Sequence, residues 1–344
     1  MAVQTVTGAI ELDELGRTLM HEHLFIAFPG AEYDPLAVLD RAAFIAEAVK
    51  RLRQLREEHG VRSFVDPCPI ELGRDAGMMA EIAEKSEMNV ICTTGFYFEA
   101  MGFPVYWRAR TVDEIADLYI HEITRGIVQN GKHTGVKAGA IKVATGAPAI
   151  TELEEKFLAA ACIAQKATGI PIITHTQDGY GGPEQQKLFA DGGVAPHRCL
   201  IGHCCGNPDP SYHKRVVEGG SYIGFDRIGL HRYMPDETRA DNLVKLVRSG
   251  HRAQIMMSQD RHCGWLGKFA RQVPPEEQAK IDAMNAAGKW PPPYTYLFTD
   301  FVPMLRDRGL NEQEIFSILD ENPRRFFAGE ALPAAMAGPP VMTS

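Results

Sequence analysis

Eight short runs rich in β-branched and apolar residues recur along the chain, each followed by a segment of helical periodicity. No other feature restricts the fold as much. The runs are TLMHEHLF (18–25), RSFVD (62–66), NVICTT (89–94), GAIKVA (139–144), PIITHT (171–176), CLIGHC (199–204), SYIGFD (221–226) and AQIMMSQD (253–260). Strand runs separated by helix-length spacers read as βαβ units and hence as a parallel sheet. The spacers support this. RAAFIAEAVKRLRQLREEHG (41–60) repeats apolar residues at three- and four-residue intervals and closes on Gly60, a natural residue after a helix end. Segments 111–127 and 151–169 open with Thr111 three residues before Glu114 and Thr151 three before Glu154, the spacing of a capping box. Eight strands and eight crossovers predict an α/β architecture, a (β/α)8 TIM barrel ringed by helices. A doubly wound open sheet is the alternative, and no G-x-G-x-x-G follows the first strand to favour its nucleotide-binding form.

One barrel domain over residues 1–328 is expected, with a long connection, 261–295, after the eighth strand. That connection carries Trp265, Trp290 and three consecutive prolines, and loops of such length in compact domains usually form lids or pocket walls. GEALPAAMAGPPVMTS (329–344) reads as a flexible C-terminal tail. Net charge is 36 − 44 = −8 with no dense Lys/Arg run, which argues against nucleic acid or an anionic membrane as partner. A small-molecule substrate fits better. The N-terminal residues lack a basic region followed by an apolar one, and no apolar run approaches bilayer length, so a cytoplasmic protein is expected. Seven Cys, an odd number with no C-x-x-C pair, suit a reducing compartment, and Cys204-Cys205 reads as two small buried hydrophobes.

Barrels of this kind place their chemistry at the C-terminal ends of the strands. Residues there are His21 and His23 on the first strand, Lys142 on the fourth, His175 on the fifth, His203 on the sixth and Asp260 on the eighth. Side chains alternate along a strand, so His21 and His23 share a face and can chelate one metal ion, while Glu22 faces the layer between barrel and helices. Each residue has a plainer reading. With 12 His in 344 residues, roughly 0.4 His-x-His patterns arise by chance. A strand His is often a hydrogen-bonded core residue, and a strand Asp can cap the next helix. Lys142 resists such readings, because an unpaired buried ammonium costs several kcal/mol or shifts its pKa strongly downward. Six such residues on one rim point to a metal site.

The order His-x-His, Lys, His, His, Asp resembles the binuclear-metal amidohydrolase superfamily. LMHEHL, GAIKVATG, PIITHT, CLIGHC, YIGFDRIGL and MMSQD resemble the phosphotriesterase family, and within it the phosphotriesterase-like lactonases, from about Val6 to Phe327. The resemblance implies that His21, His23 and Asp260 hold the more buried of two divalent ions and His175 and His203 the more exposed one. Zn is the first expectation, with Co, Mn or Fe as alternatives. Lys142 would be N6-carboxylated and bridge both ions, turning a poor buried cation into an anionic ligand. A bridging hydroxide would then be available near neutral pH, and Asp260 would move its proton to the leaving group. Tyr97 in TTGFYFEA and Arg227 in GFDRIGL match residues that flank the metals in the lactonase branch. Tyr97 would hydrogen-bond the substrate's ring oxygen or carbonyl, and Arg227 would orient the substrate or hold the Tyr97 and Asp260 side of the cleft. Their plainer readings are a packed loop aromatic and an ion pair with Asp226.

One departure stands out. Phosphotriesterases proper carry acidic residues just after the sixth-strand His, whereas His203 here is followed by Cys204-Cys205-Gly206. Trp265, Phe269 and Met284 are candidate pocket walls for an acyl or alkyl chain. The expected function is a metal-dependent hydrolase opening γ- or δ-lactones or acyl-homoserine lactones. Phosphotriester, aryl-ester or amide hydrolysis at the same site is the alternative, and a binding protein on a dead barrel is disfavoured by the complete six-residue set. A homodimer is implied by the resemblance alone.

Overall fold

The computed structural model describes residues 2–267, 275–286 and 292–333. Eight parallel strands follow one another around a single sheet: β1 Arg17–Leu19, β2 Val61–Asp66, β3 Asn89–Gly95, β4 Ala140–Thr145, β5 Ile172–Thr176, β6 Cys199–Ile201, β7 Tyr222–Phe225 and β8 Ile255–Met257. Sequence neighbours are sheet neighbours throughout, the order that right-handed βα crossovers generate. Between them run helices that include α1 Arg41–His59, α2 Ala76–Ser86, α3 Val112–Thr124, α4 Glu152–Thr168, α5 Gly182–Asp191, α6 Pro210–Glu218 and α7 Asp236–Leu246. The expected caps form. Thr111 and Thr151 each build a capping box with the Glu three residues on, and Gly60 takes the left-handed conformation (φ 69°) that ends α1.

The inward-facing positions explain how the site is raised on this frame. Val65, Ile91, Ala140, Ile173, Leu200, Tyr222 and Met256, one from each of β2 to β8, pack with Met20 inside the barrel. Val3 and Leu15 from the N-terminal segment and Phe326 and Phe327 from helix Asn322–Ala328 join the same cluster. Further along several of these strands the same face turns polar. Lys142 follows Ala140, His175 follows Ile173, and the β7 line runs Tyr222, Gly224, Asp226. A Cβ at Gly224 would come within 2.6 Å of Asp226 Oδ2, and one at Gly202 within 2.1 Å of the Thr174 carbonyl. Gly224 thus leaves room for the Asp226 carboxylate inside the barrel, and Gly202 for the backbone of β5.

The seam between β1 and β8 differs from the sequence expectation. TLMHEHLF is not one strand: β1 ends at Leu19, His21 lies in a bend, and a second strand, His23–Ala27, begins at His23. Here the chain is tied to the eighth strand's extension rather than to a regular ladder. His21 N–H donates to Ser258 Oγ, the His21 carbonyl accepts from Asp260 N–H, and the buried Glu22 carboxylate accepts from the N–H groups of Gln259 and Arg261. These contacts break the regular alternation and close the sheet almost to a barrel. Strands six and eight also end early, so His203 and Asp260 sit two and three residues beyond their strands, both in left-handed backbone (φ 62° and 52°).

The connection after β8 is more ordered than a loop. It contains a strand, His262–Leu266, paired in parallel with His23–Ala27, and a helix, Pro275–Ala286. Two short antiparallel hairpins, Ala2–Thr5 with Gly8–Glu11 and Val128–Gln129 with Lys132–His133, were not expected from the pattern. Phe269, Trp290, the Met284 side chain and tail residues 334–344 lie outside the described residues. No described helix is long and apolar enough to cross a membrane. All seven Cys are unbridged, with Cys204 and Cys205 buried as expected.

Candidate metal centre

A cavity of about 980 Å³ opens at the C-terminal ends of the strands, and its floor contains His21, His23, Lys142, His175, His203 and Asp260. The structure therefore brings together all six rim residues read from the sequence. Asp260 is the hub. Its Oδ1 lies 3.2 Å from His23 Nε2 and 3.8 Å from His21 Nε2, and its Oδ2 lies 3.9 Å from His203 Nε2. Ligand atoms of His21, His23 and Asp260 all fall within 4.8 Å of one another, close enough to share an ion. The rings of His21 and His203 are 4.5 Å apart and those of His175 and His203 4.6 Å, which carries the donor array across the barrel mouth.

The far nitrogens of the rings decide which nitrogens face the cleft. Asp226 Oδ2 is 3.1 Å from His21 Nδ1, Asp226 Oδ1 is 3.0 Å from His203 Nδ1, and Asp66 Oδ1 is 3.1 Å from His23 Nδ1. A carboxylate can only accept, so each of these rings carries a proton at Nδ1; in His21 and His203 this turns the Nε2 lone pair inward, while His23 Nε2 also faces a carboxylate oxygen, Asp260 Oδ1. This is how metal-ligating imidazoles are held, and it is the observation that tests the donor set. Asp66 is pinned in turn by the N–H groups of Leu24 and Cys68, and Asp226 by that of His203. His175 is turned the other way, with Nε2 on Gln177 Oε1 at 3.0 Å and Nδ1 3.4 Å from the Tyr97 hydroxyl.

Electrostatics favour neutral imidazoles at His21 and His175 and a protonated one at His23. Burial lowers His21 well below its ordinary value with Lys142 adding to it, and burial with His203 does the same for His175. His23 moves up because Asp260 and Asp66 outweigh its burial. Asp260 is held well below the carboxylate range, since His203, His23 and Arg227 overcome the cost of burying it. Lys142 is 1% exposed, its Nζ lies 3.4 Å from His21 Nε2, and burial pushes its pKa down to about 8. An amine so placed gives up its proton more easily than an exposed lysine, toward the free base that carbamate formation needs.

Tyr97 and Arg227 both line the cavity. Arg227 is buried and its Nε donates to Asp260 Oδ2 at 2.9 Å, while its guanidinium stacks 4.7 Å over the Tyr233 ring. The plainer expectation of an Arg227–Asp226 pair is corrected, because both Asp226 oxygens are committed to His21 and His203. Tyr97 is half-buried, its N–H held by Glu71 Oε1 at 2.7 Å. Ile26, Phe28, Leu72, Met101 and Trp265 supply apolar wall, so Trp265 stands where a pocket wall was expected. Sequence reading passed over Asp66, Glu71 and Gln177 and treated Asp226 only as a possible ion-pair partner. For Asp66 and Asp226 a signal existed: each is the Asp that closes a strand run, directly after apolar residues.

Comparison with known proteins agrees with this geometry. The model of the Phosphotriesterase family matches residues 1–327. An aryldialkylphosphatase of Saccharolobus solfataricus is 35% identical over 321 residues, covering 93% of this chain and 97% of its own. A phospho-furanose lactonase of Mycoplasmopsis agalactiae is 32% identical, covering 95% of this chain and 91% of its own. The solved structure of an organophosphorus hydrolase from Deinococcus radiodurans superposes with a TM-score of 0.86 at 37% identity, over 95% of this chain and 97% of that one. With the match running from the N-terminal hairpin to the helix that closes the barrel core, the chain belongs to the phosphotriesterase family.

Proposed function

We propose that residues 1–328 form a metal-dependent lactonase that opens γ- or δ-lactones, acyl-homoserine lactones among them. His21, His23 and Asp260 would hold one divalent ion and His175 and His203 the other, with Lys142 as a carbamate between them and Zn as the first candidate metal. Two such ions would polarise the substrate carbonyl and acidify an attacking water. The chain's own groups do the rest. Asp260, oriented by Arg227 at 2.9 Å, takes the water proton and delivers it to the departing ring oxygen. Tyr97 donates a hydrogen bond to that oxygen as negative charge develops on it. The apolar wall from Ile26 to Trp265 accommodates an acyl or alkyl substituent.

The observation that carries this reading is the Tyr97 hydroxyl, 3.4 Å from His175 Nδ1 and therefore beside the donor cluster rather than packed away from it. Hydrolysis of phosphotriesters at the same residues is the second reading, favoured by the likeness to an aryldialkylphosphatase and an organophosphorus hydrolase. The test is a paired assay of metal-loaded protein on γ- and δ-lactones and on an aryl phosphotriester. Higher kcat/KM on the lactones supports the proposal; phosphotriester turnover without lactone turnover refutes it. A reducing, cytoplasmic setting is supported by the seven unbridged thiols, and a homodimer by the family resemblance.

A further inference from the structure

Three of the four imidazoles of the candidate metal centre are held from behind by carboxylates, and the fourth is not. His21 and His203 share Asp226, and His23 has Asp66. Behind His175 stands a neutral amide: Gln177 Oε1 lies 3.0 Å from His175 Nε2, and Gln177 Nε2 donates to Asp178 Oδ1 at 2.9 Å. Neither Gln177 nor Asp178 takes part in the function proposed above.

The direction of this short chain is forced at each link. An ionised carboxylate only accepts, so the NH2 of Gln177 faces Asp178 and its carbonyl oxygen faces the ring. An amide oxygen also only accepts, so the proton of His175 sits on Nε2 and the lone pair on Nδ1. That lone pair faces the Tyr97 hydroxyl and the His203 side of the cleft. The backbone helps, since Asp178 occupies the left-handed region (φ 56°), which Asp tolerates better than most residues, in the turn directly after β5. Gln185 fixes the other end of the unit, with its Nε2 2.9 Å from the His175 carbonyl.

We propose that Gln177, oriented by Asp178, is the positioning residue that fixes the tautomer of His175, and that an amide in this place leaves the ion beside His175 and His203 the more weakly held of the two. The reason for the asymmetry is charge. A carboxylate behind an imidazole both orients it and strengthens it as a donor, whereas an amide only orients it. The affinity difference rests on the metal reading above; the tautomer does not.

Two measurements on the full chain separate these parts. Ring ¹⁵N shifts of the metal-free protein should show His175 protonated at Nε2 in the wild type and a mixture of tautomers in Gln177→Leu, with Asp178→Asn also mixed because the amide is free to flip. Competitive titration with Zn²⁺ should show that Gln177→Leu weakens one of two metal equivalents by about 10–100-fold and leaves the other unchanged. Gln177→Glu should restore or exceed wild-type affinity at that same equivalent, a gain that a merely structural role would not produce. A wild-type His175 protonated at Nδ1, or a tautomer unmoved by Gln177→Leu, overturns the positioning role. Equal weakening of both equivalents, or no gain from Gln177→Glu, overturns the asymmetry. A chain that binds no metal overturns the proposed function and the asymmetry together, while the tautomer is still decided by the spectra.

Discussion

Replacing Asp226 by Asn changes one atom and should disable one ligand selectively. Asp226 Oδ1 accepts from the His203 backbone N–H at 2.8 Å and lies 3.0 Å from His203 Nδ1, while Oδ2 lies 3.1 Å from His21 Nδ1. The backbone N–H can only donate, so the amide oxygen of the new side chain must take the Oδ1 place. Its NH2 group then faces His21. His21 is forced to present a lone pair at Nδ1 and a proton at Nε2, the nitrogen 3.8 Å from Asp260 Oδ1 and 3.4 Å from Lys142 Nζ. A protonated Nε2 cannot bind a metal. Loss of an orienting partner costs about 10–100-fold in metal affinity, or about 1.4–2.8 kcal/mol, and inversion of the ligand nitrogen puts this case at the upper end. The ion that uses His21 should therefore weaken about 100-fold while the ion at His175 and His203 changes little. Asp226→Ala, which frees both rings, should weaken both. Chelator-competition titrations with Zn²⁺, read beside far-UV circular dichroism to confirm the fold, measure this. An Asp226→Asn protein that keeps both affinities, or in which the His175 and His203 ion weakens more than the His21 ion, refutes the reasoning.

Other substitutions test the remaining parts of the site. Lys142→Ala should lose metal and turnover, and short carboxylic acids should restore part of both; a variant with two tight ions and normal rates removes the carbamate from the account. Asp260→Asn should lower kcat at least about 100-fold with the fold intact, because proton transfer of this kind is worth about 10²–10⁴ in rate. Steady-state kinetics would expose the error if rates stay near wild type. Tyr97→Phe should cost on the order of 10²-fold on a lactone with a poor alkoxide leaving group, and far less on an aryl phosphotriester whose phenolate departs unaided. Equal losses on both substrates would mean Tyr97 serves only as packing. Arg227→Lys, which cannot reproduce both the Asp260 contact and the stacking on Tyr233, should shift KM and kcat together.

The residue pattern alone was enough for the eight strands, the capped helices between them and the six rim residues. Each of these rests on short-range physics: side-chain alternation, helical periodicity, and the improbability of a lysine inside GAIKVATG without a partner. Strand order followed too, because βα crossovers leave parallel strands few other ways to associate. Closure of the barrel decided the rest. Asp226 meets His21 across 205 positions and Asp66 meets His23 across 43, so no local window could assign those carboxylates to those rings. The same closure broke TLMHEHLF at His21, since Glu22 and the His21 backbone are spent on Ser258, Gln259, Asp260 and Arg261, and it turned Arg227 from its chain neighbour Asp226 to Asp260. Which residues gather at the strand ends was written in the chain. Which nitrogen of each ring faces the cleft depends on hydrogen-bond partners that only the folded barrel brings within 3 Å or so of one another.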